Sequence, residues 1–180
     1  MDEQNIIDAC LKGNPVAQRK LFEMFAPKML GVCLRYMKTH DEAEDVLQDA
    51  FVKIFTKLFD YKNNGSLEGW IRRIVVNTAL DQLRKNTKFA HSYDIADMEY
   101  KLENSDYMFE SLVAQDLMKL VNAMPDGYRV VFNMFAIEGY SHKEIAETLG
   151  VSENTSKSQY SRARSYLKEK LELIEGGESR

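Results

Sequence analysis

The sequence predicts an all-α protein: two small helical domains joined by a flexible linker, the C-terminal domain carrying a helix-turn-helix. Three observations predict it. Apolar residues recur at helical spacing through most of the first 87 residues and again from Ser111 onward. Between about Lys88 and Glu110 that period fails, in a stretch of scattered aromatics and many acids, KFAHSYDIADMEYKLENSDYMFE, which reads as a connector. From Glu138 to Leu171 two helices are punctuated by caps and a tight turn. The expected boundaries are residues 1–87, 88–110 and 111–180.

In the N-terminal part, Gly13-Asn14-Pro15 makes an early break, and Leu21, Phe22, Phe25, Met29, Leu30 and Cys33 then repeat as one helical face. Thr39, or Asp41 just after it, can cap the next helix, DEAEDVLQDAFVKIFTKL. Its apolar stripe is Ala43, Val46, Leu47, Ala50, Phe51, Ile54 and Phe55, and its outer strip is Glu44, Asp45, Gln48 and Asp49. On pattern alone that strip reads as a solvated face. A turn at Lys62-Asn63-Asn64-Gly65-Ser66 leads into GWIRRIVVNTALDQLRK, where Trp70, Ile71, Ile74, Val75, Thr78 and Leu83 can bury. Arg73, Asn77, Asp81 and Arg84 share another face at helical spacing. Cations flanking an amide beside an Asn-rich loop suit an exposed base and its phosphates. The same spacing equally describes routine surface arginines.

After the connector, SLVAQDLMKLVNAM predicts a helix from Ser111 that ends at Pro125-Asp126-Gly127, and YRVVFNMFAIEGY predicts the next. Ser141 with Glu144 three residues later has the capping-box pattern. Ile145, Ala146 and Leu149 give that helix a buried face, Gly150 ends it, and Ser152 can cap its successor. Along the last helix Ser156, Tyr160, Ala163 and Leu167 should face the core, while Lys157, Ser158, Ser161, Arg162 and Arg164 face out. Such a face can bond phosphates and base edges in a major groove. An ordinary antiparallel helix pair with a basic outer face is the alternative. The residues GGESR form a loose tail.

Bulk properties exclude several classes. No apolar run reaches the roughly 18 residues needed to cross a membrane, and the acidic start MDEQNIIDAC has no secretory pattern. Two cysteines, Cys10 and Cys33, are too few for a disulfide framework and read as free thiols in a reducing cytosol. With His40, His91 and His142 they show no metal-ligand spacing, so no metal or other cofactor is expected. No phosphate-cradling glycine loop and no nucleophile–base frame appear, so catalysis is not expected. The net charge of −4 hides strong segregation. Residues 61–90 hold six Lys/Arg against two Asp/Glu, residues 91–126 two against eight, and residues 154–170 five against one. Two basic patches flank an acidic segment, and local field governs contact with phosphate.

Taken together these residues resemble the bacterial RNA-polymerase sigma factors of the extracytoplasmic-function group. AEDVLQDAFVKIF is similar to the polymerase-binding helix of the family's region 2. GWIRRIVVNTALDQLRK is similar to the helix that melts and reads the minus-ten element, and MPDGYRVVFNMFAIEGYSHKEIAETLGVSENTSKSQYSRARSYLKEKL resembles region 4, which reads the minus-thirty-five element. The resemblance implies a cytoplasmic, non-catalytic subunit that binds core RNA polymerase and promoter DNA in a stress or envelope response, held inactive by an anti-sigma factor. It implies that Glu44, Asp45, Gln48 and Asp49 dock on the polymerase. Asn63, Asn64 and Asn77 would cradle a flipped minus-ten base, with Arg73, Arg84 and Lys85 on the single-strand backbone. Thr155, Lys157, Ser158, Gln159, Ser161 and Arg162 would serve the minus-thirty-five groove, and Ser141 would anchor a phosphate. The acidic linker would thread toward the RNA exit path.

Two residues depart from the family pattern. Ser156 stands where an apolar β-branched residue is usual, which should loosen the packing of the recognition helix. Gln159 stands where a basic residue is common, which points to an adenine preference. The competing reading is a stand-alone helix-turn-helix regulator.

Overall fold

The structure, a computed structural model, describes residues 3–85 and 114–177. All regular structure among them is helical. The chain divides into two compact units, Met1–Lys85 and Asn86–Arg180. The connector expected over residues 88–110 and the helix start expected at Ser111 lie outside the described residues.

The first unit holds α1 (Glu3–Leu11), α2 (Pro15–Tyr36), α3 (His40–Lys57), a 3-10 turn (Leu58–Asp60) and α4 (Leu67–Lys85). Local chemistry sets each start. Asn14 Oδ1 accepts the Val16 and Ala17 N–H groups at 2.9 and 3.2 Å, and Pro15, which has no N–H to leave unpaired, opens α2. Thr39, rather than Asp41, caps α3: its hydroxyl accepts the Glu42 N–H at 3.2 Å, and the Glu42 carboxylate accepts the Thr39 N–H at 3.3 Å. The Ser66 hydroxyl accepts the Gly69 N–H at 3.1 Å where α4 begins.

α2, α3 and α4 pack against one another in pairs, and α1 lies on α2. Their shared core holds Met29, Val32 and Cys33 of α2, Ala43, Ala50 and Ile54 of α3, and Ile71, Val75, Val76 and Ala79 of α4, all fully buried. Phe22 meets Phe51 edge-on at 4.7 Å between centroids. Trp70 and Ile74, expected inside, are only half-buried at its margin. Cys10 and Cys33 are buried free thiols. Burial pushes Cys33 up to about 12, which keeps it in the unreactive thiol form.

The second unit holds α5 (Ala114–Asn122), α6 (Asp126–Phe132), a π turn (Asn133–Ile137), α7 (His142–Leu149) and α8 (Glu153–Gly177). Val121, Met124, Ala163 and Tyr166 form a core, with Met118, Tyr128, Phe132 and Leu167 packed against it. The stretch YRVVFNMFAIEGY, expected as one helix, is α-helical only to Phe132. Beyond it the Glu138 N–H donates to the Asn133 carbonyl at 2.9 Å, five residues back, which widens the last turn. Arg129 is 1% exposed. It pairs with Asp126 at 3.0 Å and donates to the Asn122 carbonyl at 3.2 Å, so its charge also meets the negative end of α5. No helix among the described residues is long and apolar enough to cross a membrane.

Ile54 and Val52 are two residues apart on α3 with 0% and 66% exposure. Ile54→Ala should lower the unfolding free energy of the first unit by about 2–5 kcal/mol. Val52→Ala should move it by less than about 0.5 kcal/mol. Trp70 is the chain's sole tryptophan, so denaturant unfolding followed by its fluorescence reports this unit alone.

Candidate nucleic-acid interface

In the first unit the outer strip of α3, Glu44, Asp45, Gln48 and Asp49, is exposed throughout. Val52 lies one turn beyond Gln48 and carries the strip on with an apolar residue, which the sequence reading did not assign. His40, Asp41 and Glu44 bring ligand atoms within 4.8 Å of one another on the exposed surface. Asp41 lies in the first turn of α3, where the helix dipole favours an acid, and Glu44 lies 3.4 Å from His40 one turn back.

On α4 the residues Arg73, Asn77, Asp81, Arg84 and Lys85 are all exposed, because the opposite arc is filled by the core. Asp81 takes two cations: Arg84 at 3.1 Å on its own helix and Lys53 of α3 at 3.4 Å. The turn before α4 is built around two residues of positive φ, Asn63 at 54° and Gly65 at 114°. Asparagine tolerates that conformation better than most residues. The Tyr61 hydroxyl donates to the Gly65 carbonyl at 2.8 Å, and its ring lies 5.6 Å from that of Trp70. Asn64 is exposed, while the Asn63 side chain donates to Gln4 of α1 at 3.0 Å.

In the second unit the punctuation is as expected. Ser141 caps α7 in a capping box with Glu144, and Gly150 closes it at φ 70°, with the Gly150 and Val151 N–H groups both reaching the Ala146 carbonyl at 2.9 and 3.1 Å. The Ser152 hydroxyl accepts the Thr155 N–H at 3.0 Å to start α8. Leu149 is half-buried rather than buried. Lys157, Ser158, Ser161 and Arg164 are exposed, with Thr155 and Arg162 half-buried beside them. Lys157 pairs with Glu153 at 2.8 Å.

Four expectations change. Gln159 does not stand on the groove-facing side: it is 2% exposed, and its Oε1 has no hydrogen-bond partner among the described residues. The buried stripe of α8 runs through Ser156, Gln159, Ala163 and Tyr166, one step round from the stripe expected at Tyr160 and Leu167, which are half-buried. A base contact by Gln159, and with it the adenine preference, does not fit that placement. Ser156 does not leave its helix loosely packed, since it is fully buried and its Oγ lies 2.9 Å from His142 Nδ1. The His142 ring stacks on Phe135 of the π turn at 4.2 Å and 13°. Ser141 presents no open helix end to a phosphate, because the Glu144 carboxylate accepts both its N–H, at 2.9 Å, and its hydroxyl, at 2.8 Å.

The arrangement is that of a promoter-recognition factor of the sigma-70 type. Residues 21–89 match the family model of Sigma-70 region 2, and residues 114–167 match that of Sigma-70, region 4. The chain is 29% identical over 157 residues to the ECF RNA polymerase sigma factor SigE of Mycolicibacterium smegmatis, covering 84% of this chain but 60% of that protein's length. It is 25% identical over 171 residues to the ECF RNA polymerase sigma factor SigW of Bacillus subtilis, covering 89% of this chain and 91% of that one. Among solved structures, it is similar to the sigma factor RpoE of Bartonella quintana in complex with the anti-sigma factor NepR. That match has a TM-score of 0.55 at 26% identity and covers 86% of this chain and 96% of that one. CnrH in complex with the cytosolic domain of CnrY shares the fold, with a TM-score of 0.52 at 21% identity over 95% of this chain and 97% of that one. The chain belongs to the extracytoplasmic-function group of sigma factors.

Desolvation of His142 makes the second unit sensitive to pH. Burial first, and then the charge of Lys157, hold His142 below its usual 6.5, with Glu153 pulling the other way. The unfolded chain therefore takes up the proton more readily than the folded one. The stability that neutral His142 contributes is present above pH 6.5 and is lost as pH falls through that value toward the folded pKa. Thermal unfolding followed by near-ultraviolet tyrosine dichroism should show a lower midpoint at pH 5 than at pH 7.5. His142→Gln should flatten part of that difference.

Proposed function

We infer that this chain binds core RNA polymerase and directs it to promoters with two spaced upstream elements. Residues 1–87 act as region 2, residues 111–180 as region 4, and residues 88–110 as the linker between them. The observation that carries the reading is the division of exposed faces: an acidic strip on α3, and cation-bearing faces on α4 and α8. Glu44, Asp45, Gln48 and Asp49 dock on a basic surface of the polymerase. Asn63, Asn64 and Asn77 hold an unpaired minus-ten base, with Arg73, Arg84 and Lys85 on the backbone around it. Extruding that base costs a few kcal/mol of stacking, which the holding contacts offset. Thr155, Lys157, Ser158, Ser161 and Arg162 meet the minus-thirty-five groove.

Likeness to a sigma factor solved with its anti-sigma factor supports an anti-sigma partner for this chain as well. With that partner we place the protein in the cytoplasm, in a stress or envelope response. A stand-alone helix-turn-helix regulator would use α7 and α8 but leave the faces of α3 and α4 without a task.

The test is co-purification with core polymerase followed by transcription from a promoter library with and without the chain. Start sites that need both components and share two upstream elements are expected. DNA binding by the second unit without any polymerase association would instead favour the stand-alone regulator. Asp45→Arg with Asp49→Arg should cut transcription at least about tenfold by reversing charge at the docking face. Retention of activity in that double variant removes the docking assignment. Lys157→Ala should weaken minus-thirty-five binding and reduce the slope of log affinity against log salt by about 0.9.

A further inference from the structure

Helix α1 precedes the matched region-2 segment, which begins at residue 21, yet it is bonded to the loop assigned to base recognition. Gln4 Nε2 donates to Asp8 Oδ1 at 2.9 Å, one turn along α1. Gln4 Oε1 in turn accepts from Asn63 Nδ2 at 3.0 Å, across 59 residues of sequence. α1 also packs against the 3-10 turn that leads into this loop. Asn63 itself sits at φ 54° with its side chain exposed.

The chemistry of these three groups fixes their polarity. A carboxylate only accepts hydrogen bonds. Gln4 must therefore turn its NH2 toward Asp8, which leaves its carbonyl for the loop. That carbonyl also only accepts, so Asn63 must offer its own NH2 and keep Oδ1 for whatever approaches from outside. An isolated asparagine amide could present either end, since its oxygen and nitrogen have nearly the same shape.

We propose that Gln4 and Asp8 are positioning residues for base selection, locking Asn63 as a hydrogen-bond acceptor toward the unpaired minus-ten base. A base with an exocyclic amino group is then chosen over one with a carbonyl at the same place. Cytosine and uracil are the sharpest pair, because the amino N4 of one stands where the carbonyl O4 of the other does. One hydrogen bond of this kind sets a preference of roughly threefold to tenfold. The proposal rests on the assignment of Asn63 to that base made above.

The test uses polymerase holoenzyme reconstituted with the full chain. It binds single-stranded oligonucleotides of the minus-ten element from the promoter library, with cytosine or uracil at each position in turn. One position should favour cytosine roughly threefold to tenfold. Gln4→Ala and Asp8→Ala should bring that ratio to about one, while Asp8→Glu, which keeps the acceptor, should preserve it. Asp8→Lys donates to Gln4 Oε1 instead, turns both amides over and should reverse the preference toward uracil. A partial loss of fold would weaken both oligonucleotides alike and leave the ratio unmoved. A wild-type ratio in Gln4→Ala and Asp8→Ala, with the ratio lost in Asn63→Ala, overturns the positioning role and leaves the promoter function standing. A ratio unmoved by Asn63→Ala overturns the role and the base assignment of Asn63 together. No association with polymerase overturns the functional reading and this proposal with it.

Discussion

Whatever the first unit offers to another molecule depends on the apolar seam where α4 packs against α2 and α3. Ile71, Val75, Val76, Ala79 and Leu80 are at most 1% exposed, so most of the circumference of α4 is committed to the core. What remains is a narrow strip through Arg73, Asn77, Asp81 and Arg84. Successive residues of a helix turn by about 100°. Slipping the seam by one residue would therefore carry Asn77 into the core and bring Thr78 out. The same packing turns α3 so that Ala43, Ala50 and Ile54 point in and Glu44, Asp45, Gln48 and Asp49 point out. The same hydrophobic seam thus makes an acidic face on α3 and a cation-bearing face on the neighbouring α4.

Carboxylates sit among the cations of both candidate DNA faces. Asp81 holds Lys53 and Arg84, and Glu153 holds Lys157. These pairs are largely exposed, so each contributes little to stability. Their consequence lies in binding: a phosphate must displace or share the carboxylate before it gains the cation. With a net charge of −4 behind them, such faces bind DNA more weakly alone than an uninterrupted basic patch would. A factor built this way gains from arriving with a larger partner that brings the DNA to it.

The fold was legible wherever one or two residues decide a local event. Thr39, Ser141, Ser152 and Gly150 are caps because their chemistry is local, and the stripes of α2, α3 and α4 are broad enough to survive an error of one position. The stripe of α8 is narrower. Ser156 and Ala163 fix two of its positions but leave Gln159 and Tyr160 competing for the space between, and tertiary packing put the glutamine inside. Polar character gave no warning of that. The π turn was hidden because its composition is that of an ordinary helix. The pairing of Gln4 with Asn63 joins residues 59 apart, and nothing local to either one announces the other. Asp81 was placed on the right face, but its bond to Lys53 depends on how closely α3 approaches α4.

Helix α8 shows what one departure from a family pattern can do. An apolar β-branched residue at position 156 would hold α8 by contact alone, which tolerates small rotations. Serine replaces that contact with a hydrogen bond of defined length and direction to His142. His142 is itself fixed by stacking on Phe135, and Phe135 is placed by the π turn. The rotation of α8 is therefore tied through a continuous chain of contacts to the end of α6. Lys157, Ser158 and Ser161 follow the same helix, so the direction in which they face is set by that chain. A valine at 156 would restore the apolar contact but leave His142 Nδ1 without its partner in a half-buried site, at a cost of its own. His142 and Ser156 are best understood as one unit, in which neither residue makes physical sense at its position without the other.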